Sequence, residues 1–409
     1  MSIGESSVSE QEMELSEQLP KCPFPHIDGL GLEPQLRHLL YDQPNSKMSL
    51  EYGEGGAWIV TRYEEVKRVA TDRRFSRAAL VGLDFERITP RPIAPPGSIF
   101  VQDPAVHRQM RSALAGAFGS RALDRMRGQI QRTVDELLEA MKADDGPADF
   151  MSAVADPLPT RVICQVLAIP SDDEAWLMDQ VGALKRIDPS HRTTALEAQK
   201  TLHAYVVSLV DRRRRDPGTD LVSSLTAGAE EERLTDDEVV SLVISLILTG
   251  HDNVTNELGN IVFTLLTDGA LRRQAETDFS AAFEELLRYI PFRRGVGTPR
   301  VALEDVTVGD KMIKSGDVVH VAYMAANRDP EKFPDPDELK PDRLKVPHMT
   351  FGWGAHRCPA EPLARLEIEI ALTSLFARFP GLKLAVPQHE IEWQRENVNR
   401  LPLSLPVAW

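Results

Sequence analysis

The stretch FGWGAHRCPAEPLARLEIEIALTSLFARFP (residues 351–380) sets one cysteine, Cys358, between a glycine-rich turn and a segment of helical periodicity. Leu363, Leu366 and Ile370 recur three and four residues apart, and Ile368, Leu372, Leu375 and Phe379 continue the pattern. Pro359 suits the first position of a helix, which places Cys358 at a helix N-terminus. There the free amides and the helix dipole favour the thiolate over the thiol. Gly352 and Gly354 let the preceding backbone wrap closely around the sulfur. These residues leave two readings open: an inert buried cysteine, the common state of a free thiol, or a ligand or nucleophile.

The rest of the chain bounds the choice. A hydrophobic fraction of 42% beside 27% charged residues describes an ordinary globular protein with a large core and excludes disorder of the whole chain. A formal charge of −15 argues against a nucleic-acid partner, because phosphate binding draws on clustered Lys and Arg. One local exception is Arg108, Arg111, Arg121, Arg125, Arg127 and Arg132, faced in that stretch by the single acid Asp124. Cys22, Cys164 and Cys358 are too few and too scattered for a disulfide framework or a zinc site. The acidic residues 1–20 fit neither a signal nor a transit peptide and read as a disordered tail. The longest apolar run, 239–248, is ten residues long, half of what a membrane span needs. A cytoplasmic protein with no membrane contact is expected.

Periodicity between residues 61 and 268 is mostly helical, as in Met126, Ile130, Val134, Leu137 and Leu138. Strand signals are short: Val306 and Val308, a Gly309-Asp310 turn and Met312 read as a hairpin, and 318–321 as a following strand. The class is mainly α with a minor β part. Thr235-Asp-Asp-Glu238 is a capping box that opens a helix apolar on nearly every face, hence a buried central helix. TGHDNVTN (residues 249–256) is out of place there. Gly250 costs about 1 kcal/mol of helix propensity, and a buried aspartate needs partners. A self-satisfied kink is one explanation; a groove widened beside a ligand, with Asp252 handling protons, is the other.

At this point four stretches carry a resemblance. Phe351-Gly-Trp-Gly-Ala-His-Arg-Cys358 resembles the haem-binding loop of the cytochrome P-450 family: a phenylalanine, a glycine three residues on, and a cysteine four after that. His107-Arg-Gln-Met-Arg111 resembles the family's haem-propionate pair, Glu285-Leu-Leu-Arg288 its ExxR helix, and Pro341-Asp-Arg343 its meander arginine. They occur in the family's order, and TGHDNVTN falls where the family has its oxygen-activation groove.

The resemblance implies a triangular prism-like fold in which residues 21–409 form a single haem-thiolate catalytic domain. Haem b would lie between the long central helix and the helix after the cysteine loop, with Cys358 as iron ligand and Phe351 and Gly352 shaping the loop. A thiolate axial ligand donates electron density to iron and favours O–O cleavage. His107, Arg111, Arg300 and His356 are expected at the haem propionates, where charge-assisted hydrogen bonds are strong. Glu285, Arg288 and Arg343 resemble a buried structural triad. The arginine-rich stretch falls on the side where, in the family, an acidic ferredoxin, itself served by a ferredoxin reductase, delivers electrons. A monomer acting on a small molecule and dioxygen is implied.

The chain departs from the family at one chemical position. Asp252 matches the groove acid, but Asn253 stands where a threonine is usual, and Thr255 lies about 200° further round the helix. An asparagine amide holds a water but has no hydroxyl to share protons. Ala360, where the family prefers glycine, is a mild second departure. The catalytic set expected is Gly250, Asp252 and Asn253. The pocket walls expected are the loop 80–100, Leu246 and Thr249, the segment from Phe292 to Val296, and the turn 395–398 with Val398. Arg293 and Arg294 are candidate anion binders. The expected activity is monooxygenation of a natural-product intermediate in secondary metabolism. The alternative is oxidative coupling or ring closure on a peptide-derived substrate, such as a tryptophan-containing cyclodipeptide, without oxygen insertion. A haem-binding protein without turnover is the rival from another class, disfavoured by Asp252 and the basic stretch.

Overall fold

The computed structural model describes residues 19–21, 24–90, 97–102, 104–143, 146–185, 189–232, 234–343, 346–396 and 398–409. The tail expected over 1–20 falls almost wholly outside these residues, as do Cys22 and part of the loop 80–100. The architecture is mostly helical, with three small sheets. One sheet, ordered β1(Ser46–Met48), β2(Ala57–Val60), β8(Val318–Val321), β5(Arg300–Ala302), β3(Phe75–Ser76), joins early and late chain through the parallel pair β2–β8. The hairpin β6(Val306–Val308) and β7(Lys311–Ile313) pairs Val308 with Lys311 across Gly309-Asp310, and Gly309 takes the left-handed conformation (φ +59) that such a turn requires. The third sheet brings β4(Ala148–Asp149) and β9(Lys383–Leu384) onto β10(Pro406–Ala408).

The capping box forms with both of its bonds: Glu238 N donates to Thr235 Oγ1 at 3.3 Å, and Thr235 N donates to Glu238 Oε2 at 2.7 Å. The helix it opens is the central one, and it runs in two segments rather than one, Asp236–Gly250 and Asp252–Thr267, interrupted at His251. The break follows from the polar residues of TGHDNVTN. Thr249 Oγ1 donates to Ser245 O at 2.7 Å, Asn253 Nδ2 to Thr249 O at 3.2 Å and Thr255 Oγ1 to His251 O at 3.2 Å. Side chains that bond the carbonyl four residues back compete with the helix ladder and bend it. Gly250 adds a close approach: a β-carbon there would sit 3.1 Å from Ile163 Cδ1 on the neighbouring helix Pro157–Leu167.

The helix after the cysteine loop starts later than Pro359 suggests. It runs Glu361–Arg378 with Ala360 as N-cap. A start at Pro359 would put Pro362 at the fourth helical position, where a backbone N–H is needed and proline has none. Starting at Glu361 places Pro362 within the first turn, where that loss costs nothing, and leaves Cys358 in the turn before the helix rather than at its cap. Among the described residues no helix is long and apolar enough to cross a membrane.

Candidate active site

Cys358 lies in a cleft between the first segment of the central helix and the helix Glu361–Arg378, holding about 1380 Å³ of empty space, its open mouth included. The loop that carries it is fixed by its own backbone: Cys358 N donates to Phe351 O at 2.8 Å, Gly352 N to Met349 O at 2.8 Å and Arg357 N to Gly354 O at 3.1 Å. Gly352 and Gly354 both adopt positive φ, +75 and +73, and a β-carbon on Gly354 would sit 2.4 Å from Ala70 O. Only glycine fits that contact. Arg357 clasps Glu361 through two hydrogen bonds, 2.7 and 2.8 Å, which ties the loop to the first turn of the following helix.

Burial pushes the Cys358 thiol up, opposed by the amide of Ala360 and by Arg111 and Arg357 nearby. A metal cation is what would hold a thiolate in such a place. At one end of the cleft the basic residues converge. The His107 and His356 rings touch at a tilt of 51°, their centroids 4.1 Å apart. Burial first, then Arg77, His107, Arg300 and Arg111 around it, keep the His356 imidazole neutral by pushing its pKa far down. Arg300 is 1% exposed, and neither of its terminal nitrogens has a hydrogen-bond partner among the described residues. Tyr323 reports the same field: burial would raise its phenol pKa, but Arg300 and Arg77 pull it down. A basic cluster with guanidinium nitrogens unpartnered among the described residues calls for an anion beside the thiol, and haem, with its propionates and iron, would meet both needs. The residues present fit the group.

The triad assembles. Arg288 Nε and Nη2 donate to Glu285 Oε2 and Oε1, both at 2.7 Å, and Arg343 Nε donates to Glu285 Oε1 at 3.1 Å. From it a hydrogen-bonded path runs to the cysteine loop. Arg288 Nη1 donates to Asn327 O at 2.9 Å, the Asn327 side chain accepts from Met349 N at 2.6 Å, and Asn327 Nδ2 donates to Thr350 Oγ1 at 3.0 Å.

Several expected site residues line this cleft: His107, Arg111, Leu246, Thr249, Gly250, Asn253, Phe292, Phe351 and His356. Asp252 does not. One residue is about 100° of helix, and with Asn253 facing the cleft Asp252 turns out of it: Oδ1 lies 2.9 Å from His251 Nδ1 and Oδ2 accepts from Asn399 Nδ2 at 3.4 Å. His251 Nε2 in turn meets Asp156 Oδ1 at 2.9 Å. Val296 lines an adjacent cavity with Leu80, Phe85 and His320, and Val398 packs behind it. Arg293 and Arg294 stay out of the cleft lining. Arg294 donates to Phe24 O at 3.0 Å and lies 4.0 Å from Glu51; Arg293 is half-buried, with Glu33 as the acid acting on it. Residues that sequence reasoning passed over are Arg77, which lies three positions after the Arg73-Arg74 pair and carries no motif of its own, and two buried acids in the cleft wall, Glu257 and Glu367. Glu257 carried a signal, an acid four residues after Asn253 on the helix read as buried.

A sequence model described as Cytochrome P450 matches residues 279–397. The chain is 39% identical to nocardicin C N-oxygenase of Nocardia uniformis subsp. tsuyamanensis, over 95% of this chain and 98% of that one. It is 36% identical to mycinamicin IV hydroxylase/epoxidase of Micromonospora griseorubida, again over 95% and 98%. Among solved structures, that of cytochrome P450mel 107F1, described as having biaryl coupling reactivity, superposes with TM-score 0.92 at 46% identity, covering 95% of this chain and 99% of that one. With this likeness over nearly the whole length, and a cleft that pairs the half-buried Cys358 thiol with a cationic cradle, the chain belongs to the cytochrome P450 family.

Proposed function

We propose that this chain oxidises a natural-product intermediate by coupling aromatic rings, with Cys358 as the thiolate ligand of the haem iron and with Arg77, His107, Arg111, Arg300 and His356 holding the propionates. When bound, the haem supplies dioxygen activation; the chain supplies position, dryness and protons. The observation that carries the coupling reading is Asn253. It faces the cleft where a hydroxyl is usual, and its amide donates to Thr249 O at 3.2 Å. Thr249 and Ser245, which also line the wall, donate their hydroxyl protons to backbone carbonyls at 2.7 and 2.8 Å. Apart from the basic residues at one end and the acids Glu257 and Glu367, the lining is mostly apolar and partly aromatic, with Phe100, Phe118 and Phe292, which suits flat rings. The biaryl coupling reactivity of the 46% identical structure supports the same reading.

Oxygen insertion is the second reading, favoured by the N-oxygenase and hydroxylase/epoxidase names of the two curated relatives. Incubation with a converted substrate under heavy-oxygen dioxygen separates the two. A joined product without label supports coupling, and label in the product overturns it. A ferredoxin is the proposed electron donor: Arg108, Arg121, Arg125, Arg127 and Arg132 are exposed, and an acidic partner would be steered to them. A reduction rate that does not fall with added salt overturns that assignment.

A further inference from the structure

The central helix puts a carboxyl group into the wall of the cleft. Glu257 stands four residues after Asn253 and eight after Thr249, so the three share a face, and all three line the cleft. Glu257 is 6% exposed, and among the described residues neither of its oxygens has a hydrogen-bond partner. Burial alone pushes its carboxyl well above the usual carboxylate range, with no basic side chain pulling it back. Its carboxyl is biased toward the protonated form, and neither oxygen is committed to a partner among the described residues. Its neighbours on the same wall are committed: Ser245 and Thr249 donate to carbonyls, as does the Asn253 amide. Asp252 is turned toward His251 and Asn399. An apolar side chain would fill this place more stably than an unpartnered acid, so a chemical use explains its presence better than packing does.

We propose that Glu257 is the acid that passes protons into the cleft while dioxygen is reduced, acting from one helical turn beyond Asn253 in place of the absent hydroxyl. The requirement is the same for both readings of the reaction, so the assignment rests on family membership and not on coupling. Insertion consumes dioxygen, two electrons and two protons and yields the hydroxylated product and one water. Coupling consumes the same and yields the joined product and two waters, the two further hydrogens coming from the rings. In each transfer the Glu257 O–H bond breaks, its electron pair stays on the carboxylate, and the proton goes to an oxygen of the dioxygen under reduction. The electrons come from the redox partner, and water entering the cleft returns a proton to Glu257.

The test uses the haem-loaded protein and needs no natural substrate. Infrared difference spectra of the parent in light and heavy water should show a protonated carboxyl component that Glu257→Gln removes, any component from Glu367 on the facing helix remaining. With a surrogate ferredoxin and reductase, Glu257→Gln should reduce dioxygen consumption roughly a hundredfold and enlarge its solvent deuterium isotope effect. Glu257→Asp should recover part of the rate. Peroxide-driven oxidation of guaiacol, in which the oxidant brings its own protons, should fall far less. Equal losses in the two assays, or a Glu257→Gln protein with parental dioxygen consumption and isotope effect, would overturn the assignment. If Glu257→Gln does not take up haem, the parent and Glu257→Asp decide: no protonated carboxyl band in the parent, or a band unmoved in Glu257→Asp, also overturns it. Oxygen labelling of products plays no part, so failure here and failure of the coupling reading are distinguishable.

Discussion

Glu285→Ala removes four hydrogen bonds at once, and the structure sets the size of the effect. Glu285 accepts two bonds from Arg288, one from Arg343 Nε at 3.1 Å and one from Lys340 N at 2.9 Å. Burial opposes charge on this carboxyl, but the Arg288 guanidinium and its companions hold it below the usual range, so it is a carboxylate at neutral pH. Its loss strands Arg288, whose side chain is 2% exposed, beside carbonyls alone. Breaking one side of a buried ion pair costs about 3–5 kcal/mol. Unfolding entropy near 2.1 cal/mol/K per residue over 409 residues gives about 0.9 kcal/mol/K, so a loss of about 4 kcal/mol lowers Tm by about 5 °C. Because Arg288 also holds Asn327, and Asn327 holds Met349 and Thr350 beside the cysteine loop, haem retention should fall together with Tm. The assay is thermal unfolding of purified protein followed at the Soret band, with haem content measured alongside. A Glu285→Ala protein that carries full haem and melts within about 1 °C of the parent would refute the reasoning.

Three further outcomes are expected. Arg300→Leu should raise Tm of the haem-free protein, because it removes a buried cation whose terminal nitrogens have no hydrogen-bond partner among the described residues, which outweighs the loss of its contact with Tyr323. It should also speed haem transfer to apomyoglobin, since a charge-assisted bond worth about 1.5–3 kcal/mol is lost. Gly354→Ala, with φ at +73 and a β-carbon forced to 2.4 Å from Ala70 O, should cost at least about 1–2 kcal/mol from the left-handed backbone alone, read as a lower urea midpoint. For Glu284, burial opposes ionisation, yet hydrogen bonds from His348 and Arg365 bring its pKa to about 2 from 4.5. A depressed pKa contributes stability above pH 4.5 that is lost as pH falls toward 2, so Glu284→Gln should flatten that part of an acid-unfolding curve.

What was legible in the sequence was local. The capping box at Thr235, the Gly309-Asp310 hairpin and the strand Val318–Val321 stand where their residues place them, because each depends on neighbours within a few positions. The cysteine loop was legible for the same reason, its glycines and backbone turns lying within nine residues of Cys358. Its helix start was not, since Pro359 and Pro362 compete for the first turn and only the missing amide of Pro362 decides between them. Asp252 shows the limit more sharply. A break at His251 and pairing with Asp156 and Asn399, far apart in the chain, set its direction. Arg77 joins the cationic cluster only because β3 pairs with β5, which carries Arg300.

The contact between Gly354 and the Ala70 carbonyl also bears on the order of assembly. The two residues are made far apart in time, since the ribosome releases Ala70 long before Gly354. The parallel pairing of β2 with β8 and the antiparallel pairing of β5 with β3 impose the same delay. The cofactor cradle therefore closes late in synthesis, after most of the core-forming helices have emerged, and such long-range closure is slow. Haem arriving earlier meets a half-built pocket. The N-terminal sheet waits for the late strands rather than for haem, so holoprotein yield should respond to haem added after chain release as fully as to haem supplied during translation.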